Sequence, residues 1–201
     1  MRRIAQLLLV ATAAVTLSSC IVLHRSAMPA ADRAPSAAIR YAATFVYRVE
    51  RLQKYDSDLG QDGVLRVFRS ENPFSATSEG VLFVPKQGLF VTAELDRTPA
   101  AGWITAFDRM SYLTLGLLPS WNLHDIHSVT YRVFIDGEQR QSFHYDVTRK
   151  TVTWIGLLPF AWINLLNTSL DDVMADTARR FFAEAAPLFQ DGARTHASAN
   201  P

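Results

Sequence analysis

The chain has 201 residues, 49% of them hydrophobic and 19% charged, and a net charge of +1. That balance is globular, and its Lys and Arg residues are scattered along the chain rather than clustered, so the electrostatic footprint of a nucleic-acid binder is missing. Cys20 is the one cysteine, which excludes a disulfide framework within the chain.

Arg2 and Arg3 precede an uncharged run, residues 4–17, made mostly of Leu, Ala and Val. A membrane-spanning helix needs roughly 20 apolar residues. This run is shorter and fits the apolar region of an export signal. It leads into Leu17-Ser18-Ser19-Cys20, which resembles the lipobox of bacterial lipoproteins: an apolar residue three before the cysteine, then two small ones. The resemblance implies diacylglyceryl transfer to the Cys20 thiol, cleavage after Ser19 and acylation of the new amino terminus. The residues alone leave open an ordinary secretory signal with a chance cysteine at its end. Lipoproteins of this kind are usually retained in the inner membrane when Asp follows the cysteine; Ile21 stands there, which favours a lipid-anchored place on the periplasmic face of the outer membrane.

Four segments follow from composition: a signal (1–19), a lipidated cysteine with an Ala/Ser/Pro-rich flexible tether (20–38), one domain (39–189) and a disordered polar tail (190–201). Within the domain, Tyr41, Ala43, Phe45, Tyr47 and Val49 alternate with their neighbours and predict a strand. Turn residues then lead to Val64, Leu65, Val67 and Phe68, which start a short helix that Asn72-Pro73 must end. Residues 79–84 and 89–95, joined by Pro85-Lys86-Gln87-Gly88, read as a hairpin.

Val129, Tyr131, Val133 and Ile135 form a second alternating run that ends at Asp136-Gly137, a strong type I′ turn signal, and the return strand carries Phe143, Tyr145 and Val147. Residues 151–155 extend the sheet. Ser169 and Asp172 resemble a capping box. Behind them Leu170, Val173, Met174, Thr177, Ala178, Phe181, Phe182 and Ala185 make one apolar helical stripe, with Pro187 as its stop. This order predicts an α+β domain: a mostly antiparallel sheet with two helices packed on one face.

The chain repeats itself once. Leu115-Gly116-Leu117-Leu118-Pro119-Ser120-Trp121-Asn122 is echoed by Ile155-Gly156-Leu157-Leu158-Pro159-Phe160-Ala161-Trp162-Ile163-Asn164. Similar stretches occur in uncharacterised envelope lipoproteins with a TLGLLP segment, a resemblance that brings no known activity. Two readings of the echo stand: buried connections with their tryptophans in the core, or an exposed surface that touches lipid or a protein partner. In the second, the contact residues are Leu117, Leu118, Pro119, Trp121, Leu157, Leu158, Pro159 and Trp162. Trp162, between a strand and the last helix, is expected in the core, and Trp121 at a loop tip.

Other candidate sites are weaker. Asp56, Asp58 and Asp62 have the alternate spacing of a calcium loop, but Gln61 stands where glycine should turn the chain and Val67 where a bidentate Glu belongs. His124-Asp125-Ile126-His127 offers two imidazoles without a clear third ligand, and is expected as polar residues entering a strand. No Gly-x-Ser-x-Gly elbow, Cys/His pair or phosphate-binding glycine loop is present, and Asp171-Asp172 suits a helix N-terminus. No catalytic residue, metal or cofactor is therefore expected. The expected role is a non-catalytic adaptor lipoprotein of a cell-envelope complex, held to the membrane by Cys20 and bound to an envelope protein through a sheet edge or the echoed segments. The alternative is a subunit of an oligomeric outer-membrane pore or secretion assembly, and the oligomeric state is left open.

Overall fold

The computed structural model describes residues 20–26, 41–51, 59–80, 83–98, 101–114 and 116–198, with backbone alone at residues 20, 26, 41–43, 51, 124, 158, 161 and 191–198. The signal, the rest of the tether, Asp56, Asp58 and Leu115 lie outside the described residues. The elements in chain order are β1 (Cys20–Ser26), β2 (Tyr41–Arg51), α1 (Gln61–Ser70), β3 (Phe74–Glu79), β4 (Leu89–Thr98), α2 (Gly102–Leu113), β5 (Ser120–Ile135), β6 (Glu138–Thr153), a 3-10 helix (Ile155–Leu166) and α3 (Leu170–Ser198). The first residues of the expected tether are thus strand β1.

The strands follow the order β1-β6-β5-β4-β2-β3. Asp136 and Gly137, at φ 53° and 80°, make the turn between β5 and β6, both at the positive φ that a type I′ turn demands. Elsewhere the pairing departs from expectation. β2 pairs in parallel with both β3 and β4. The sheet is therefore mixed rather than mostly antiparallel, and three α-helices accompany it among the described residues instead of two. A helix between two strands lets the second return to the starting end and run parallel, which α1 does between β2 and β3.

β3 and β4 form no hairpin, because β2 lies between them, and Val81 and Leu82 of the expected first strand of that hairpin lie outside the described residues. β3 matches Tyr41 to Tyr47 of β2, whereas β4 matches Val46 to Arg51. The chain crosses from one side of β2 to the other without reversing direction.

The chain divides into two units. The first holds Thr98–Ile126, Thr148–Thr168 and the described residues of Met1–Arg25; the second holds Ser26–Arg97, His127–Val147 and Ser169–Pro201. Every buried hydrophobic side chain among the described residues belongs to the second unit. There the alternating apolar residues Phe45 and Tyr47 of β2, Val129, Tyr131 and Val133 of β5, and Phe143, Tyr145 and Val147 of β6 are all buried, as their period predicts; the Tyr41 and Ala43 side chains lie outside the described residues. The predicted α3 stripe is buried too, from Leu170 to Ala185. Aromatic rings join these layers, with Phe45 edge-on to Phe182 at 5.5 Å and Tyr131 stacked on Phe181 at 4.6 Å.

Two polar arrangements fix the start of α3. The Asp172 amide donates to Ser169 Oγ at 3.1 Å, the expected cap, and Asp172 also accepts from Arg66 of α1 at 2.8 Å. Pro187 does not stop the helix, which continues to Ser198. Proline removes one backbone donor and crowds the preceding turn. Phe189, two residues further on and 1% exposed, packs against Phe74, Phe181 and Phe182, which gives the helix a reason to continue.

Candidate membrane or partner surface

α2 inverts the usual distribution of a surface helix. Trp103, Phe107, Met110 and Leu113 recur at helical spacing and are exposed, while Ser111 is the buried residue of the helix. The inward side is polar: Ser111 Oγ donates to the Leu118 carbonyl at 2.6 Å, and Ser120 Oγ to Asp108 Oδ1 at 2.8 Å. A helix that turns its apolar stripe outward normally meets something other than water. Sequence reasoning missed α2; the i, i+4, i+7 spacing of Trp103, Phe107 and Met110 was its signal.

The two echoed segments come together. The Ile155 amide donates to the Gly116 carbonyl at 2.8 Å, so the start of one copy is bonded to the start of the other. Their glycines serve different needs. Gly116 turns the chain at φ 75°, after which its segment enters β5. Gly156 opens the 3-10 helix, and a Cβ there would lie 2.6 Å from the Trp154 ring, so only glycine lets that ring settle.

Most of the proposed contact residues are open to solvent. Leu117, Leu118, Pro119 and Pro159 are exposed, and Leu157 is half-buried; the Leu158 side chain lies outside the described residues. Trp162, expected in the core, is instead 56% exposed, and Trp121 is 57% exposed with its ring 6.2 Å from that of Phe107. Phe160, Leu165 and Leu166 are exposed beside Trp162. Of the exposed large hydrophobic side chains described, Phe83 alone lies in the second unit.

β1 is tied to the same segment. The Val22 amide donates to Asn164 Oδ1 at 3.1 Å, and Asn167 Nδ2 donates to the Val22 carbonyl at 2.7 Å. Cys20 opens that strand.

No family model matches the chain, and no curated protein matches it. Among solved structures it is similar to the PelC dodecamer from Paraburkholderia phytofirmans, at 8% identity over 78% of this chain and 96% of that one, with a TM-score of 0.29. It is also similar to the rare lipoprotein B from Shewanella oneidensis, at 13% identity over 72% and 96%, with a TM-score of 0.31. TM-scores of this size establish no common fold.

The weaker candidates are placed as follows. Asp125 and His127 are buried in β5, which starts at Ser120, so they stand well inside the strand rather than at its start; the His124 side chain lies outside the described residues. Asp62 is exposed on α1. Among the described residues no three of His, Cys, Asp and Glu gather in one place, and no helix is long and apolar enough to cross a membrane. Asp171 and Asp172 are structural, the first accepting from the Gly63 amide at 3.2 Å and the second from Arg66.

Proposed function

We propose that this protein is a non-catalytic envelope lipoprotein, anchored through lipid on Cys20 to the periplasmic face of the outer membrane and acting as an accessory or adaptor in a cell-envelope complex. One observation supports it above the rest: the unit that contains Cys20 turns its large apolar side chains outward, while the second unit holds an ordinary buried core. Burying a large apolar side chain contributes about 1.5 to 3 kcal/mol. Leaving so many of them in water is costly unless lipid or protein covers them.

The test is metabolic labelling with a fatty acid, followed by membrane fractionation and sizing in mild detergent. Label on the wild type that disappears in Cys20→Ala, and enrichment with outer-membrane markers, are the expected results. Label retained on Cys20→Ala, or enrichment with inner-membrane markers, would count against the anchor or its sorting. A monomer, or a complex with one partner, fits the adaptor. A large ring would favour the second reading, a subunit of an outer-membrane pore, for which the heptad-like spacing of Trp103, Phe107 and Met110 on α2 supplies a helix-packing seam.

A further inference from the structure

We infer that the outward face of the first unit is occupied by the lipid bilayer itself: the unit lies in the headgroup interface of the membrane that holds Cys20. The inference rests on the lipidation proposed above.

All four tryptophans of the chain, Trp103, Trp121, Trp154 and Trp162, are in this unit and exposed. Indole combines a large apolar body with a single N–H donor, and for that reason tryptophan concentrates where hydrocarbon meets water. Tryptophan also anchors protein interfaces, so the choice between lipid and a protein partner turns on where the acyl anchor stands.

The anchor provides the second argument. Val22 is bonded on both its amide and its carbonyl to Asn164 and Asn167, and Cys20 stands two residues before it in the same strand. At roughly 3.3 Å per strand residue, about 7 Å of chain separates the acylated residue from the end of the 3-10 helix. Acyl chains inserted in a bilayer therefore hold Trp162, Leu165 and Leu166 close to the membrane surface. Contact with lipid becomes an intramolecular event, favoured by effective concentration before any new attraction is counted.

Charge and length agree. No charged residue occurs from Trp154 to Thr168, and in the described residues of this unit Arg25, Arg109, Arg149 and Lys150 outnumber Asp108 and Asp125, as suits an anionic leaflet. The 3-10 helix has 12 residues. At about 2 Å per residue it is too short to cross the roughly 30 Å hydrocarbon core, so it lies along the interface.

Because every tryptophan reports on this one unit, intrinsic fluorescence reads the contact without a label. Full-length acylated protein is reconstituted in vesicles of phosphatidylethanolamine and phosphatidylglycerol, with and without bromine on the acyl chains, and acylation of Cys20 is checked by mass. Emission in the brominated vesicles is expected to fall to roughly half or less. Acylated protein whose emission ignores bromine would overturn the inference and leave the lipoprotein reading intact; crosslinking to a second copy in that sample would identify the chain itself as the occupant. Should the mass reveal no acyl group, the anchor reading fails. The bilayer face then survives only if the unacylated protein is still quenched when vesicles are added.

Discussion

Gly63 of α1 lies against the backbone of Asp171 in α3, so close that a Cβ at Gly63 would stand 1.8 Å from the Asp171 carbonyl oxygen. The neighbour is backbone and cannot rotate away, so Gly63→Ala must separate the two helices. Alanine gains about 1 kcal/mol of helix propensity. Forcing extra volume into a packed contact costs about 1 to 3 kcal/mol or more, and here the Gly63–Asp171 hydrogen bond is lost as well. The denaturation midpoint of Gly63→Ala should fall; an unchanged midpoint would contradict this helix crossing.

A second prediction concerns the buried hydroxyl pair. Thr177 Oγ1 donates to the Met174 carbonyl at 2.7 Å, so the 2.9 Å contact with Tyr131 must use the tyrosine proton. Tyr131→Phe removes the donor and leaves the Thr177 hydroxyl still bonded, at a cost of about 1 kcal/mol. Thr177→Val strands the fully buried Tyr131 hydroxyl, at about 1 to 3 kcal/mol. Urea titrations of the two variants should rank threonine above tyrosine, and the reverse order would mean that the proton is assigned wrongly.

The contrast between the units predicts opposite outcomes for two aromatic truncations. Phe181 is fully buried among Tyr131, Phe143 and Phe189, and Phe181→Ala should cost about 3 to 5 kcal/mol. Trp162→Ala removes a side chain that is 56% exposed and should leave the melting temperature of detergent-free protein nearly unchanged, while weakening its hold on membranes. A large drop for Trp162→Ala would return that residue to the core.

Acid should loosen the second unit. A hydrogen bond from Arg179 holds Glu71 below its ordinary value, and hydrogen bonds from Arg66 and then Ser169 do the same for Asp172. Carboxylates depressed in the folded state stabilise it above their unfolded pKa, about 4, and lose that contribution as pH falls through the lower folded values. Both pairs are largely exposed, so each effect is small and screened by salt. Denaturation midpoints should be steady above about pH 5 and decline below about pH 4, less steeply in Glu71→Gln. A decline of equal slope in the variant would remove Glu71 from this account.

What could be read in the sequence was local periodicity. Val129 to Ile135, the Asp136-Gly137 turn and the α3 stripe each carry their structure within a few residues, and all three stand where expected. Strand direction is not local: nothing in residues 74–79 or 89–98 says that both run parallel to β2, because the intervening connections decide it. Pro187 misled for a similar reason, since the packing of Phe189 outweighs a local break. The echoed segments could be found but their exposure could not, because an apolar run of this length looks the same in a core and on a membrane face.

The tie between α1 and α3 also bears on when this chain can fold. Gly63 meets Asp171 and Glu71 meets Arg179 across 108 residues of sequence, and Phe181, Phe182 and Phe189 close the aromatic core from the C-terminal helix. Until that helix has been made, only α1 covers the inward face of the sheet, through Phe68 against Phe45, Tyr47 and Tyr131. A chain interrupted before Leu170 should therefore stay open and sensitive to protease. Completion of the last helix acts as the trigger for folding, which therefore comes late because the sequence places its final apolar stripe near its end.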